Sequence, residues 1–101
     1  MPAPVLSLPF ELSKLVDICR ANDVQRISIF GSVARGEDRP DSDIDLLVEF
    51  QKRKSLLSLV ALERKLAEAL GREVDLLTEA AISPYLRPSI QRDLRVLYEA
   101  R

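Results

Sequence analysis

The stretch that decides the fold is IFGSVARGEDRPDSDIDLLVEF, residues 29–50, in which one apolar segment ends in Gly31-Ser32 and a second begins with two aspartates. The second segment continues with three apolar residues, so Asp43 and Asp45 stand where burial is otherwise favoured. Because side chains alternate along a strand, both carboxylates point to the same face, with α-carbons about 6.6 Å apart. This placement indicates a functional site.

A third acid is also flanked by apolar residues, since Asp75 lies between Val74 and Leu76 in a short apolar segment. Taken singly, Asp43 is also typical of a cap and Asp75 of a strand edge. If their strands are neighbours, however, three repelling carboxylates meet in one cleft, and a divalent cation resolves that repulsion. Oxygen ligands favour Mg²⁺ or Mn²⁺, and two ions about 4 Å apart are typical of phosphoryl chemistry.

Polar residues before the second strand suggest a place for phosphate. Gly31 allows the backbone to approach a ligand closely, and Ser32, at the start of a short helix predicted over residues 32–36, offers a hydroxyl beside free N–H groups. The same pattern is also typical of a plain capped turn. Arg35 is placed equally well for phosphates and for an ion pair with a loop acid. Ser42 is expected to cap the turn and orient the aspartate that follows it.

Hydrophobic periodicity predicts a small α/β protein. The pattern predicts a helix over residues 9–22, strands over 24–30 and 43–50, a helix over 55–70 and a strand over 73–78. It predicts two helical pieces over residues 79–101, divided near Pro84 to Pro88. The last piece is expected to carry Ile90, Leu94, Leu97 and Tyr98 on one side. The second and third strands should be parallel and the first two antiparallel. The expected fold is a mixed sheet of three or so strands with helices packed on it.

Bulk composition excludes several classes of protein. The 101 residues predict a single domain, loose over residues 1–8. A net charge of −1 gives no general attraction to nucleic acid, and the apolar runs are too short for a membrane span. Cys19 is the only cysteine and histidine is absent, which excludes an internal disulfide, Ser-His-Asp and Cys-His catalysis and the commoner zinc sites. With no secretion signal in evidence, a reducing cytoplasm is expected.

The motif GSVARGEDRPDSDIDLLV, residues 31–48, closely resembles the GSxARG…SDxDL signature of the minimal nucleotidyltransferases, short members of the polymerase β nucleotidyltransferase superfamily. VDLL, residues 74–77, matches the third acidic strand of that family, and the likeness in element order extends over residues 9–98. The resemblance implies a polymerase β-like nucleotidyltransferase fold. It also implies transfer of AMP from ATP to a hydroxyl acceptor, with loss of pyrophosphate.

The resemblance assigns roles to the motif residues. Gly31 and Ser32 would hold the triphosphate, with Arg35 and Ser42 as neighbouring nucleotide-binding residues. Asp43 and Asp45 would ligate two Mg²⁺ ions. Asp75 would complete the metal site on the acceptor side and help to deprotonate the attacking hydroxyl.

Short members of this family resemble antitoxins that bind a HEPN-domain ribonuclease toxin and add AMP to one of its tyrosines. A chain this small has no second lobe to hold an acceptor, so a partner or a second copy is expected to complete the cleft, with contacts around Tyr85, Leu86 and Tyr98. Two alternatives stay open. One is nucleotidyl transfer to a small molecule such as an aminoglycoside, and the other is a catalytically idle module that neutralises its partner by occlusion.

Overall fold

The structure, a computed structural model, describes residues 8–100 and consists of a four-stranded sheet with helices on both faces. The elements in chain order are α1 (Leu12–Ala21), β1 (Val24–Phe30), α2 (Gly31–Arg35), β2 (Ile44–Phe50), α3 (Leu56–Leu70), β3 (Val74–Thr78), a 3₁₀ turn (Glu79–Ala81), α4 (Arg87–Asp93) and β4 (Arg95–Glu99). The strand order is β3-β2-β1-β4. Strands β2 and β3 are parallel, and the other two pairs are antiparallel. The predicted mixed α/β sheet is therefore confirmed.

Helices α1 and α3 bury their apolar stripes against one face of the sheet. This larger core joins buried residues of both helices to β1, β2 and β3: Leu15, Cys19, Ile27, Ile29, Ile44, Leu46, Leu62, Leu66, Val74 and Leu76 are among them. Ser55 caps α3 by accepting a hydrogen bond from the N–H of Ser58 at 3.1 Å, and Gly71 ends the helix in the left-handed region. These two signals place the helix as its sequence predicts.

A smaller apolar cluster covers the opposite face. Its buried members are Phe30, Leu47, Ile82 and Ile90, with Leu77 and Leu94 packed against them. Because Ile82 follows the 3₁₀ turn and Ile90 belongs to α4, the C-terminal third of the chain closes this second face. The cluster matters for the site, since side chains of β2 and β3 on this face include two of the predicted aspartates.

The prediction that the chain ends in a second helical piece is wrong beyond residue 93. Residues Arg95–Glu99 form β4, which pairs antiparallel with β1, so that Tyr98 lies opposite Ile27. Apolar residues at 94, 97 and 98 fit helical spacing, but the unpaired edge of β1 offers backbone hydrogen bonds that no local pattern reveals. Tyr98 is therefore a strand residue packed against the larger core. Tyr85 and Leu86, in the turn before α4, are exposed.

The expectation of a loose segment over residues 1–8 falls mainly on residues 1–7, which lie outside the described part of the chain. Leu8, the first described residue, packs against the larger core. No helix within residues 8–100 combines the length and apolarity that crossing a membrane needs.

Burial of Cys19 leads to a first testable prediction. The side chain has no exposed surface, and burial raises the pKa of the thiol to about 12. Because only an accessible thiolate reacts, we expect 5,5′-dithiobis-(2-nitrobenzoate) at pH 8 to modify the native protein at least ~100-fold more slowly than the protein in denaturant. Equal rates in the two states would show that α1 does not pack as described.

Candidate active site

Asp45 and Asp75 lie side by side on neighbouring parallel strands. Their α-carbons are direct partners in the register between β2 and β3. Two residues further along each strand, Leu47 and Leu77 pack with the smaller apolar cluster. Because side chains alternate along a strand, Asp45 and Asp75 project from that same face of the sheet. The structure therefore brings these two predicted carboxylates together.

Asp43 precedes β2 by one residue and is exposed. The backbone after it is fixed, since the N–H of Ile44 donates a hydrogen bond to the carbonyl of Glu73 at 2.9 Å. Asp43 is close enough to Asp45 for its charge to raise the pKa of that carboxyl. All three predicted carboxylates therefore gather at one end of the sheet.

The glycine of the motif lies directly against Asp45. Phe30, the last residue of β1, is the register partner of Asp45, and Gly31 follows it with φ of +77°. A Cβ atom built on Gly31 would come within 2.3 Å of Oδ2 of Asp45. Only glycine adopts this backbone conformation readily and leaves this space for the carboxylate. The turn and the acids thus form a single site.

The negative charges around Asp45 are only partly compensated by neighbouring cations. Its pKa is raised by desolvation and then by the charges of Asp75 and Asp43, and the cation of Arg35 only partly opposes this shift. Among the ion pairs of residues 8–100, none involves these three carboxylates. Oxygen donors with uncompensated charge suit Mg²⁺ or Mn²⁺.

The carboxylates do not make a complete metal cage. Within residues 8–100, no three His, Cys, Asp or Glu side chains are grouped so as to hold a metal ion by themselves. Mg²⁺ commonly takes one or two protein carboxylates and completes its shell with water and substrate phosphates. The donor set therefore fits a metal ion that arrives with a nucleotide, and fits an all-protein site poorly.

Helix α2 differs from its prediction in one respect. It begins at Gly31, its N-cap is Phe30 without a side-chain hydrogen bond, and Ser32 is therefore not the cap. The left-handed turn at Gly31 lets the helix start one residue early. Gly36 ends the helix as predicted, with φ of +72°. Ser32 remains partly exposed in the first turn, next to the carboxylate cluster.

Arg35 is engaged by acids on two elements. Its Nε donates to Oε2 of Glu37 at 3.2 Å, and its Nη1 donates to Oδ2 of Asp93 at 2.7 Å. The ion pair with a loop acid, one of the two alternatives for Arg35, is thus present. Because its charge also acts on Asp45, the guanidinium lies near the carboxylates, and any contact of Arg35 with phosphates stays a prediction.

Ser42 has the expected role in the turn before β2. Its Oγ accepts a hydrogen bond from the N–H of Arg39 at 2.8 Å, and its own N–H donates to the carbonyl of Arg39 at 2.9 Å. These reciprocal bonds close the turn just before Asp43. Any contact of Ser42 with a nucleotide stays a prediction.

Two residues that contact the motif carry no recognisable signal in the sequence. Asp93, at the end of α4, binds Arg35 across 58 positions of sequence, and Arg72, after α3, binds the loop between α2 and β2. Charged residues at helix ends are usually solvated, so sequence spacing alone does not single them out. Only the folding of α3 and α4 onto the sheet places them there.

Residues 12–97 match the model of a family described as the nucleotidyltransferase domain. A protein of Methanocaldococcus jannaschii with the name "Putative protein adenylyltransferase MJ0435" is 52% identical over 77 residues, covering 76% of this chain and 83% of its own length. The protein adenylyltransferase MntA of Thermococcus cleftensis is 38% identical over 71 residues, covering 70% of this chain and 72% of its own.

Solved structures give the same picture of the fold. A crystal structure of a toxin–antitoxin with AMP-PNP superposes with a TM-score of 0.76 at 28% identity, covering 90% of this chain and 75% of the matched chain. A complex of a tri-AMPylated Shewanella oneidensis HEPN toxin with an MNT antitoxin superposes with a TM-score of 0.67 at 26% identity, covering 88% and 70%.

Proposed function

Because the chain belongs to the nucleotidyltransferase domain family, we propose that it is a Mg²⁺-dependent adenylyltransferase that transfers AMP from ATP to a hydroxyl group of a partner protein. One observation carries the proposal: Asp45 and Asp75 are register partners, and the backbone of Gly31 lies directly against the Asp45 carboxylate. Carboxylates for a metal ion and a backbone turn for phosphate thus meet at one point of the sheet.

The reaction joins the acceptor oxygen to the α-phosphorus of ATP and breaks the bond between that phosphorus and the oxygen bridging to the β-phosphate. Pyrophosphate leaves, and the hydroxyl proton passes to a carboxylate, for which Asp75 is our assignment. Asp43 and Asp45 would hold the cations, which would be one or two Mg²⁺ ions or, alternatively, Mn²⁺. When bound, these ions neutralise the charge on the phosphates and on the developing leaving group.

The chain's own residues position the nucleotide. Gly31 and Ser32 present backbone N–H groups and a hydroxyl to the triphosphate, and Arg35 adds a cation at the same end of the sheet. Such a site accelerates transfer mainly by orientation and by prearranged charge, since it forms no covalent bond with the substrate.

We assign the acceptor hydroxyl to a tyrosine of a HEPN-type toxin, with the chain acting as its antitoxin in the cytoplasm. The likeness to antitoxins solved with HEPN toxins and to protein adenylyltransferases supports this assignment. Asp43 and Asp75 are exposed, so a hydroxyl on a second protein has access to the carboxylates.

The deciding experiment follows label from ATP into protein. We expect label from [α-³²P]ATP, but none from [γ-³²P]ATP, to appear on a HEPN toxin supplied as the partner when Mg²⁺ is present. The control is the double variant Asp43→Asn with Asp45→Asn, which should bind the partner without labelling it.

Two results would overturn the proposal. Label on an aminoglycoside but not on the partner would assign a small-molecule acceptor. Neutralisation of the partner without labelling, unchanged in the double variant, would show an idle module that acts by occlusion.

A further inference from the structure

The loop between α2 and β2 is held in place by a residue from a distant element. Arg72 follows α3, and its side chain is only 11% exposed. Its Nη1 donates to Oδ2 of Asp38 at 3.2 Å, and its Nη2 donates to the backbone carbonyl of Arg39. One guanidinium therefore holds both a side chain and a backbone group of the loop that joins the two halves of the motif.

The contacts of Arg72 continue toward the carboxylates. The carbonyl of Arg39, which accepts from Arg72, also accepts from the N–H of Ser42 at 2.9 Å. Next to Arg72, the carbonyl of Glu73 accepts from the N–H of Ile44 at 2.9 Å. The residues on both sides of Asp43 are thus fixed by the segment that connects α3 to β3.

The local geometry of that segment depends on the end of α3. Gly71 takes φ of +73°, which turns the chain sharply before β3 and directs Arg72 toward the loop. The planar guanidinium donates in a fixed fork, so it binds a carboxylate and a carbonyl at once. A lysine in its place retains the charge but loses the fork.

A loop of this kind needs such support. Between α2 and β2 the chain has no helix or strand over residues 36–43. The carboxylate of Asp43 nevertheless has to stay within about 0.5 Å of its place for metal-assisted transfer. Ordering each loop residue costs roughly 1–2 kcal/mol of conformational entropy, which the bonds to Arg72 and Glu73 help to offset.

We propose that Arg72 is a positioning residue of the nucleotidyltransfer site, which orders the loop through Asp38 and Arg39 so that Asp43 is held ready for the metal ion. This inference rests on the proposed function. In this role Arg72 would contact the loop, through Asp38 and Arg39, and neither the nucleotide nor the acceptor. Its effect on the reaction passes entirely through the loop.

The test compares Arg72→Met and Arg72→Lys with Arg26→Met. Arg26 forms an ion pair with Glu49 at 2.7 Å, toward the other end of β1 and β2, and serves as a control for loss of an ion pair from the same sheet. We expect Arg72→Met to lower kcat about 10–100-fold, as loss of supporting contacts commonly does. Arg72→Lys should recover part of this loss, and Arg26→Met should stay within about twofold of the parent.

A second readout does not depend on turnover. The probe is Mg²⁺ with α,β-methylene-ATP, in which the bond that the reaction breaks is replaced. We expect Arg72→Met to weaken binding of this probe about 10-fold or more in calorimetry, and to speed hydrogen exchange of the Ser42 and Ile44 amides. If Arg72→Met does not fold, Asp38→Asn takes its place in both measurements. Because this variant leaves the bond from Arg72 to Arg39 in place, we expect changes in the same direction but smaller than those predicted for Arg72→Met.

Failure of this inference is distinguishable from failure of the proposed function. If the parent protein labels its partner and binds the probe, but the Arg72 and Asp38 variants match Arg26→Met in kcat, probe affinity and amide exchange, Arg72 only supports the fold. If the parent neither labels its partner nor binds the probe, the proposed function itself is wrong.

Discussion

Asp45→Asn is expected to abolish adenylyl transfer and, in the absence of ligands, to raise the melting temperature of the protein. The loss of activity should reach about 10³-fold or more, because a neutral amide neither holds a divalent cation nor offsets its charge. The gain in stability follows from the position of Asp45, which is partly desolvated and repelled by Asp75 and Asp43. Removing this charge relieves both costs.

The sign of the pH dependence follows from the same shift. Folding raises the pKa of Asp45, so the ionised carboxylate is disfavoured in the native state. Stability is therefore lost as pH rises through the folded pKa, and the advantage of Asp45→Asn is greatest above it. The difference should be about 2–5 °C near pH 7 and shrink as pH falls toward the ordinary pKa of an aspartate.

Thermal scans with and without ligand check both halves of this prediction. Mg²⁺ with α,β-methylene-ATP should raise the melting temperature of the parent, since a ligand of the native state stabilises it, and should leave that of Asp45→Asn unchanged. Asp17→Asn, at an exposed position of α1, is the matched control. A full ligand-induced shift in Asp45→Asn would remove Asp45 from the metal site.

Gly31→Ala is expected to inactivate the protein by displacing Asp45. The new Cβ would lie 2.3 Å from Oδ2 and 3.2 Å from Cγ of Asp45, so the carboxylate or the turn must move. Alanine at φ of +77° also costs roughly 1–2 kcal/mol of backbone strain. We expect transfer to fall about 10²-fold or more, since small displacements of a catalytic group are costly.

A matched glycine separates these two effects. Gly71 has φ of +73°, and a Cβ there would meet nothing within 4 Å. Gly71→Ala should therefore lose a similar amount of stability to backbone strain. It should retain most of its activity, because the new Cβ displaces no neighbour and the turn that directs Arg72 can be kept. In addition, Gly31→Ala should cost less stability when combined with Asp45→Ala, which removes the clashing group. Equal activity of the two glycine variants would contradict the close contact at Gly31.

The sequence was sufficient for the parts of the fold that depend on local pattern. The parallel pairing of β2 with β3 follows from a strand, a helix of 15 residues and a second strand, because that connection permits little else. Ser55 and Gly71 mark the ends of α3, since capping and left-handed turns need particular residue types. Because side chains alternate along a strand, the spacing of Asp43 and Asp45 predicts that their carboxylates share one face of the sheet.

Local sequence pattern could not predict the C-terminal strand or the ion pairs that support the site. Strand β4 exists because the free edge of β1 accepts it, and its own apolar spacing equally fits a helix. The bonds of Arg35 to Asp93 and of Arg72 to Asp38 span 58 and 34 residues. Long-range pairs of charged residues have no periodicity that would reveal them.

What the sequence by itself determined is the chemistry: three carboxylates without histidine, a glycine before a serine, and a strand order that brings the acids together. Only the tertiary structure decided how these groups meet. The register places Asp75 beside Asp45, the turn at Gly31 packs against that carboxylate, and a guanidinium from beyond α3 holds the loop before Asp43. The physical reason is that residue types set which interactions are available, whereas distances between remote residues depend on the packing of the whole chain.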